Sequence, residues 1–380
     1  MSHTFGIDTR WLEGKAAAAG TNTYIQSLVR GLLELDTQNR YHLWGSPTEA
    51  NAPNAHHDNF SGNYRRAWQL VWKTVGWPPV ELPGPSPDLW HFTNYVAPPA
   101  NKPFVLTVFD LTFMEYPEFV EPKNLAFLEK WVPDSLERAT RIITISESTR
   151  DGLVEHFKVP SHKIDVTHLA AEEVYTREVP DDEIGRVKDK YGIEGGYFLA
   201  VGTLEPRKNL KNLLLAVASM RRELTQPLVV VGGQGWLFDE TQELIGKLGL
   251  AGRVIFTNYV PAAELPALYQ GATAFVFPSL YEGFGIPVLE AMSSGTPVIS
   301  SNTSSLPEVG GTAAIYFDPN DPKGLKHALQ RVLSDEKLRQ RLSLAGREQA
   351  AEFSWAKTAQ HTLGVYERAL QTHRRFAQRG

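Results

Sequence analysis

Short runs of consecutive apolar residues recur along the chain, separated by longer stretches in which apolar residues return every three or four positions. Runs of the first kind read as strands buried on both faces, and stretches of the second kind as helices packed on them. In the first half the spacing predicts strands at 41–44, 88–92, 104–108, 141–145 and 164–168, with helices at 24–35 and 149–157 among the intervening segments. The second half is more regular, with strands at 197–201, 228–231, 254–256, 274–277, 298–300 and 314–316. This alternation predicts an α/β architecture of parallel sheets. Between 172 and 186 the periodicity gives way to a polar stretch holding Glu172, Glu173, Asp181, Asp182 and Glu183. A domain border at 176/177 is placed there. After Pro322 the pattern is helical, and it ends in the basic residues His373, Arg374, Arg375 and Arg379.

Composition narrows the class. A length of 380 residues exceeds one ordinary core and agrees with two domains. Hydrophobic content of 42% and charged content of 21% are those of a water-exposed globular protein. Lys and Arg total 38 against 43 Asp and Glu, which argues against a nucleic-acid partner. The chain has no cysteine, so disulfides, thiol catalysis and thiolate-held metals are excluded. The first residues lack the basic-then-apolar pattern of a signal peptide, and no apolar run nears the roughly 20 residues of a membrane span. The expected location is cytoplasmic, with peripheral contact at the inner face of a membrane left open.

The densest chemistry lies between Pro278 and Met292. An apolar strand at 274–277 leads into Glu282, Gly283, Phe284, Gly285, Ile286, Pro287 and, after seven intervening residues, Glu290. Pro287 suits the first turn of a helix, where a missing N–H is harmless, and Gly295 suits its end. Glu282 thus falls in the loop and Glu290 inside the helix. The glycines admit a ligand close to the backbone, and N–H groups at a helix start attract phosphate. Carboxylates accept well from sugar hydroxyls. Phosphate and polyol together suggest a nucleotide sugar; the plain alternative is a strand–turn–helix corner with two solvated glutamates.

Other polar motifs also follow strands, where ligands of open parallel sheets bind. Gly202, Thr203, Leu204, Glu205, Pro206, Arg207, Lys208 and Asn209 follow one of them. Arg207 offers a fork matched to phosphate and Lys208 a compact charge beside it. Cations near a helix start oppose its dipole, which favours a bound anion over a bare surface pair. In the first half His91 and Asn94 follow a strand and are acceptor-side candidates, and Asp110 follows another. A lone Asp after a strand also serves as a cap. Residues 63–77 carry Trp68, Trp72 and Trp77 with Arg65, Arg66 and Lys73. Trp68, Trp72 and Val75 share a helical face, which suits either packing on the sheet or an interfacial helix on an anionic membrane.

The series Glu282-x7-Glu290, then Ser294, Gly295, Thr296 and Pro297, then 300–309, Phe317-Asp318-Pro319 and Phe353-Ser354-Trp355, together with 202–209, resembles glycosyltransferase family 4. These are retaining nucleotide-sugar enzymes of GT-B fold, two Rossmann-like domains facing across a cleft. The resemblance is close in the C-terminal half and looser before it. It implies an acceptor-side domain over 1–176, a donor domain over 177–360, and a last helix over 361–380 returning to the first domain.

The resemblance also implies roles. The catalytic set would be Glu282, Arg207, Lys208 and Asp110, with Glu282 facing the transferred sugar and the cations facing the diphosphate. Donor binding would involve Glu290 at the ribose, Gly283, Phe284, Gly285, Leu289, Tyr259 and Val260 near the base, and Gly20 in the loop opening the first helix. Many relatives carry His before the Asp, where this chain has Phe109, which puts Asp110 in doubt. No cofactor is implied, and the lack of an Asp-x-Asp motif after a strand points to no required metal. Asp110-Leu111-Thr112-Phe113 with Tyr116-Pro117-Glu118 most resembles bacterial mannosyltransferases of surface polysaccharide assembly. The implied donor is GDP-mannose and the implied acceptor a glycan or lipid-linked oligosaccharide. The alternatives are another GT-B enzyme, an epimerase or phosphorylase, and a non-catalytic nucleotide- or glycan-binding module.

Overall fold

The computed structural model describes residues 2–12, 19–60, 67–68, 71–72, 76–233 and 238–377. The chain forms two compact units, one of residues 1–169 with 354–380 and the other of residues 170–353.

The first unit holds a seven-stranded sheet of β1 (Thr4–Thr9), β2 (Arg40–Gly45), β3 (Ala55–Asn59), β4 (Leu89–Phe92), β5 (Phe104–Val108), β6 (Arg141–Thr144) and β7 (Ile164–Val166). Its order is β3-β2-β1-β4-β5-β6-β7, with every pairing parallel. β4 and β5 are buried along their whole length, as strands covered on both faces must be. β1 and β3 were not anticipated. β1 is an interior strand of the sheet yet includes Gly6, where an added Cβ would stand 2.5 Å from a Trp90 ring carbon. The neighbouring indole fills that space, so the strand needs little apolar bulk of its own. β3, Ala-His-His-Asp-Asn, is an edge strand tied to β2 by His42 and Asp58 at 2.6 Å.

The helix Trp355–Ala377 belongs to this unit. Gly31 of helix Ala19–Leu35 brings the two helices together: an added Cβ there would meet Ala359 and the Trp355 carbonyl at 3.1 Å. Of the tryptophan-rich segment, Trp72 is buried and stacks with Phe60 beside Trp44. Residues 63–66, 69–70 and 73–75 lie outside the described residues.

The second unit holds β8 (Phe198–Val201), β9 (Leu228–Val231), β10 (Val254–Asn258), β11 (Ala274–Phe277), β12 (Val298–Ser301) and β13 (Ala314–Phe317). The sheet runs β10-β9-β8-β11-β12-β13, again parallel. Leu213, Leu214 and Val217 of helix Leu210–Ser219 and Leu325 and Leu329 of helix Pro322–Ser334 pack with Val230, Val276 and Ile299 in one core cluster.

The borders at 176/177 and 360/361 differ from those of the two units. The acidic stretch is part of the second unit: Asp181, Asp182 and Glu183 form the first turn of helix Asp181–Lys190, where their charge complements the helix dipole. Tyr175 just before it is buried. Phe353, at the other border, packs edge-on against Phe284. No helix among the described residues is long and apolar enough to cross a membrane.

Candidate active site

In the second sheet the connections reverse direction between β8 and β11, the position at which open parallel sheets bind ligands. A short turn, Pro206–Lys208, follows β8, and the Glu282 loop follows β11. Glu282 is 8% exposed and each of its carboxylate oxygens meets a cation: Oε2 lies 2.7 Å from Arg207 Nη1, and Oε1 accepts from Lys208 Nζ at 2.7 Å. Arg207 also donates to the Tyr281 carbonyl and to Glu205 Oε1, both at 2.7 Å. Lys208 Nζ lies 4.9 Å from the centre of the Phe277 ring. Burial pushes the Glu282 carboxyl up, but Arg207 and Lys208 outweigh it and hold the group down at about 2.

The loops that carry these groups are pinned. Asn209, in the left-handed region at φ 54°, donates to the Pro278 carbonyl at 3.0 Å and to the Pro319 carbonyl at 2.8 Å. The Glu282 N–H donates to Ser304 Oγ at 2.9 Å, and the Ser305 hydroxyl to the Glu282 and Phe284 carbonyls. Gly285 begins helix Ile286–Ser293 at φ 116°, and a Cβ there would come 2.8 Å from Leu306. Only glycine meets both demands.

Glu290 lies inside that helix, partly buried, and accepts from Tyr269 Oη at 2.8 Å. Tyr175 crosses Tyr269 edge to face at 5.7 Å. Burial raises the Glu290 carboxyl to about 7, with Glu172 adding to the rise while both tyrosine hydroxyls oppose it. Two carboxylates on one segment thus differ in character: Glu282 is a fixed anion, and Glu290 can accept or donate near neutrality. Phe284, Leu289 and Val260 are buried, so a ligand would meet their main chain; Gly283 is buried too, and Tyr259 is 79% exposed.

Known proteins decide what such a unit belongs to. The family described as "Glycosyl transferases group 1" matches residues 185–349, and "Glycosyltransferase Family 4" matches residues 18–171. The chain is 36% identical over 282 residues to the O-antigen chain mannosyltransferase B of Escherichia coli, covering 73% of this chain and 74% of that one. The chain belongs to the glycosyltransferases.

A serotype-specific mannosyltransferase of Escherichia coli is 34% identical to this glycosyltransferase over 241 residues, 62% of its length but 30% of the longer relative. A solved sucrose-phosphate synthase from Thermosynechococcus elongatus shares the fold at TM-score 0.74 and 19% identity, covering 96% of this chain and 98% of that one. The two parallel-sheet units are the Rossmann-like domains of a GT-B glycosyltransferase.

In its first unit the glycosyltransferase uses several sequence-selected residues differently from expectation. His91 is 1% exposed, and both ring nitrogens are taken, Nδ1 at 2.7 Å from Tyr366 Oη and Nε2 at 2.7 Å from Thr107 Oγ1. Burial lowers it to about 3, which favours the neutral ring in this core position. Asp110 is partly buried, and its Oδ1 accepts the Thr112 N–H at 2.8 Å, the capping role that a lone Asp after a strand often takes. Phe109 sits edge-on to Tyr24 and Tyr95, an aromatic packing site with no imidazole chemistry. Gly20 lies exposed in the first turn of helix Ala19–Leu35, with open space around it. Asn94 Oδ1 is enclosed, with no hydrogen-bond partner among the described residues.

Sequence reading did not single out Glu205, Ser304, Tyr175 or Tyr269. Glu205 and Ser304 stand inside motifs already noted, so their proximity was available. Tyr175 and Tyr269 carry no local signal, since their role depends on a meeting of remote elements.

Proposed function

We propose that this glycosyltransferase moves mannose from GDP-mannose to a hydroxyl of a glycan or lipid-linked acceptor, with retention of anomeric configuration. The observation that carries this reading is the Glu282 carboxylate held between Arg207 and Lys208 at the β8/β11 reversal, beside the glycine-marked start of helix Ile286–Ser293. The relatives named as O-antigen and serotype-specific mannosyltransferases support mannose as the transferred sugar.

In this scheme Arg207, Lys208 and the helix amides meet the charge that develops on the departing diphosphate as the sugar takes on oxocarbenium character. Each cation occupies one oxygen of Glu282, and the remaining lone pairs accept hydroxyls of the sugar. Glu290, held by Tyr269, takes the ribose. The leaving phosphate serves as the base toward the acceptor hydroxyl, which explains the lack of a nucleophile–base pair in the sequence. The reaction runs without a metal. A cytoplasmic setting, with peripheral contact at the inner membrane face, suits a nucleotide-sugar donor and a lipid-linked acceptor.

Product analysis tests the reading. Incubation with GDP-mannose and a mannose-terminated acceptor should give an α-linked product, seen in the anomeric NMR signals. Thermal stabilisation by UDP-sugars with none from GDP compounds would overturn the donor assignment.

A further inference from the structure

A cavity of about 720 Å³ lies within the first unit. That volume falls within the range of small-molecule sites. Asn94, Asp110 and Gly20 do not line it, so it is separate from the candidate residues of that unit.

One wall is the helix Pro122–Arg138, which turns Asn124, Phe127, Trp131, Asp134 and Arg138 toward the cavity at intervals of three and four, the spacing of one helical face. The facing wall is the loop from Val96 to Asn101, with Trp77 and Pro79 beside it. The two walls are fastened together. Arg138 donates to the Ala97 carbonyl at 2.9 Å and the Pro98 carbonyl at 3.2 Å, and the Ala97 N–H donates to Ser135 Oγ at 3.1 Å. The Val80 N–H donates to the Pro99 carbonyl at 2.8 Å, and the Trp72 indole N–H to the Pro78 carbonyl at 2.7 Å. Arg10 brings no net charge, because it forms a buried two-pronged pair with Asp8. The cavity is therefore shaped before a ligand arrives, and it contains flat aromatic faces with amide, carboxylate and ammonium groups around them.

That combination fits a pyranose. A sugar ring offers an apolar C–H face to an indole or phenyl ring, while its hydroxyls both donate and accept at the rim. Trp77 is 61% exposed, so its ring face is open to such a ligand. An isoprenoid tail would satisfy the aromatic faces but make no use of the polar side chains of Asn101, Lys123 and Asn124 in the lining.

We propose that this cavity is a glycan-holding subsite, taking pyranose units of the acceptor remote from the hydroxyl that reacts. The proposal rests on the reading of the acceptor as a glycan. It is tested with the full-length protein and mannose oligosaccharides of one to five units. Saturation-transfer NMR without donor reads binding, and transfer kinetics read the dependence on acceptor length. Trp77→Ala and Asn124→Ala both alter exposed positions, so loss of folding is not expected. The expected result is about a tenfold rise in KM for tri- to pentasaccharides in each variant, with kcat, monosaccharide transfer and donor hydrolysis unchanged. A merely structural role would shift all substrates alike. Wild-type protein that binds no oligosaccharide, or variants that bind them as wild type does, would overturn the subsite. So would variants that lose binding to vesicles containing undecaprenyl phosphate while keeping oligosaccharide binding, the mark of a lipid pocket. Failure of GDP-mannose as donor would sink the donor reading alone, since the binding measurement uses no donor.

Discussion

Arg207 Nη1 stands 2.7 Å from Glu282 Oε2, although one residue follows β8 and the other follows β11. With Lys208 on the other oxygen, the carboxylate fixes two cations where a diphosphate would lie. Arg207→Ala and Lys208→Ala should each lower kcat about 10²- to 10³-fold, the usual loss on removing one stabiliser of developing negative charge. Steady-state transfer at saturating donor checks this, and a kcat within threefold of wild type would remove the residue from the charge-stabilising set.

Glu282→Ala should abolish transfer and leave two cations facing each other in a largely buried place. Breaking such a pair costs about 3 kcal/mol. A urea titration should show the lower midpoint with unchanged slope.

The same pair makes stability acid-sensitive. The Glu282 pKa is depressed from an ordinary 4.5 to about 2, so the ionised form is preferred in the fold. Its contribution is complete above pH 4.5 and disappears as pH falls toward 2. Over that window Glu282→Gln should lose less stability than wild type; parallel curves would show that the carboxylate is not held by its neighbours.

Glu290 has the opposite sign. Its pKa rises from 4.5 to about 7, so the neutral form is preferred and the contribution is lost as pH climbs through 7. Glu290→Gln should therefore match wild type near pH 5 and exceed it by ~1–3 kcal/mol at pH 8. Thermal melts at the two pH values read the difference. Donor affinity should fall in the same variant, because the amide nitrogen cannot accept from a ribose hydroxyl.

His91→Ala should cost about 2–4 kcal/mol through the cavity and the lost bonds to Tyr366 and Thr107, Thr107 keeping its bond to Tyr24. Transfer by the folded fraction should keep the wild-type kcat. A selective loss of kcat at unchanged stability would restore His91 as an acceptor-side group.

The parts of the molecule legible in the sequence were those written locally. Buried parallel strands announce themselves as apolar runs, which is why β4, β5, β8, β9 and β11 to β13 were anticipated. β1 and β3 were not, because Trp90 supplies the bulk that Gly6 lacks and an edge strand can be polar. The segment from Pro278 to Met292 was readable as a loop and helix start because Gly285, Pro287 and the flanking Glu282 and Glu290 sit on one strand–turn–helix corner. The surroundings of His91 and Asp110 were not legible: a polar residue at the end of a strand looks the same whether it faces a ligand, fills the core or caps the next turn.

The sequence by itself determined the class of the protein, its two parallel sheets and the strand–turn–helix corner that carries Glu282 and Glu290, since periodicity and loop chemistry act over a few positions. Only the tertiary structure decided the partners: Glu282 with Arg207 and Lys208, Glu290 with Tyr269, and His91 with Tyr366. Each pair joins elements far apart in the chain; burial raises both carboxyls, and the cations beside Glu282 keep it charged while Glu290 rises toward neutrality.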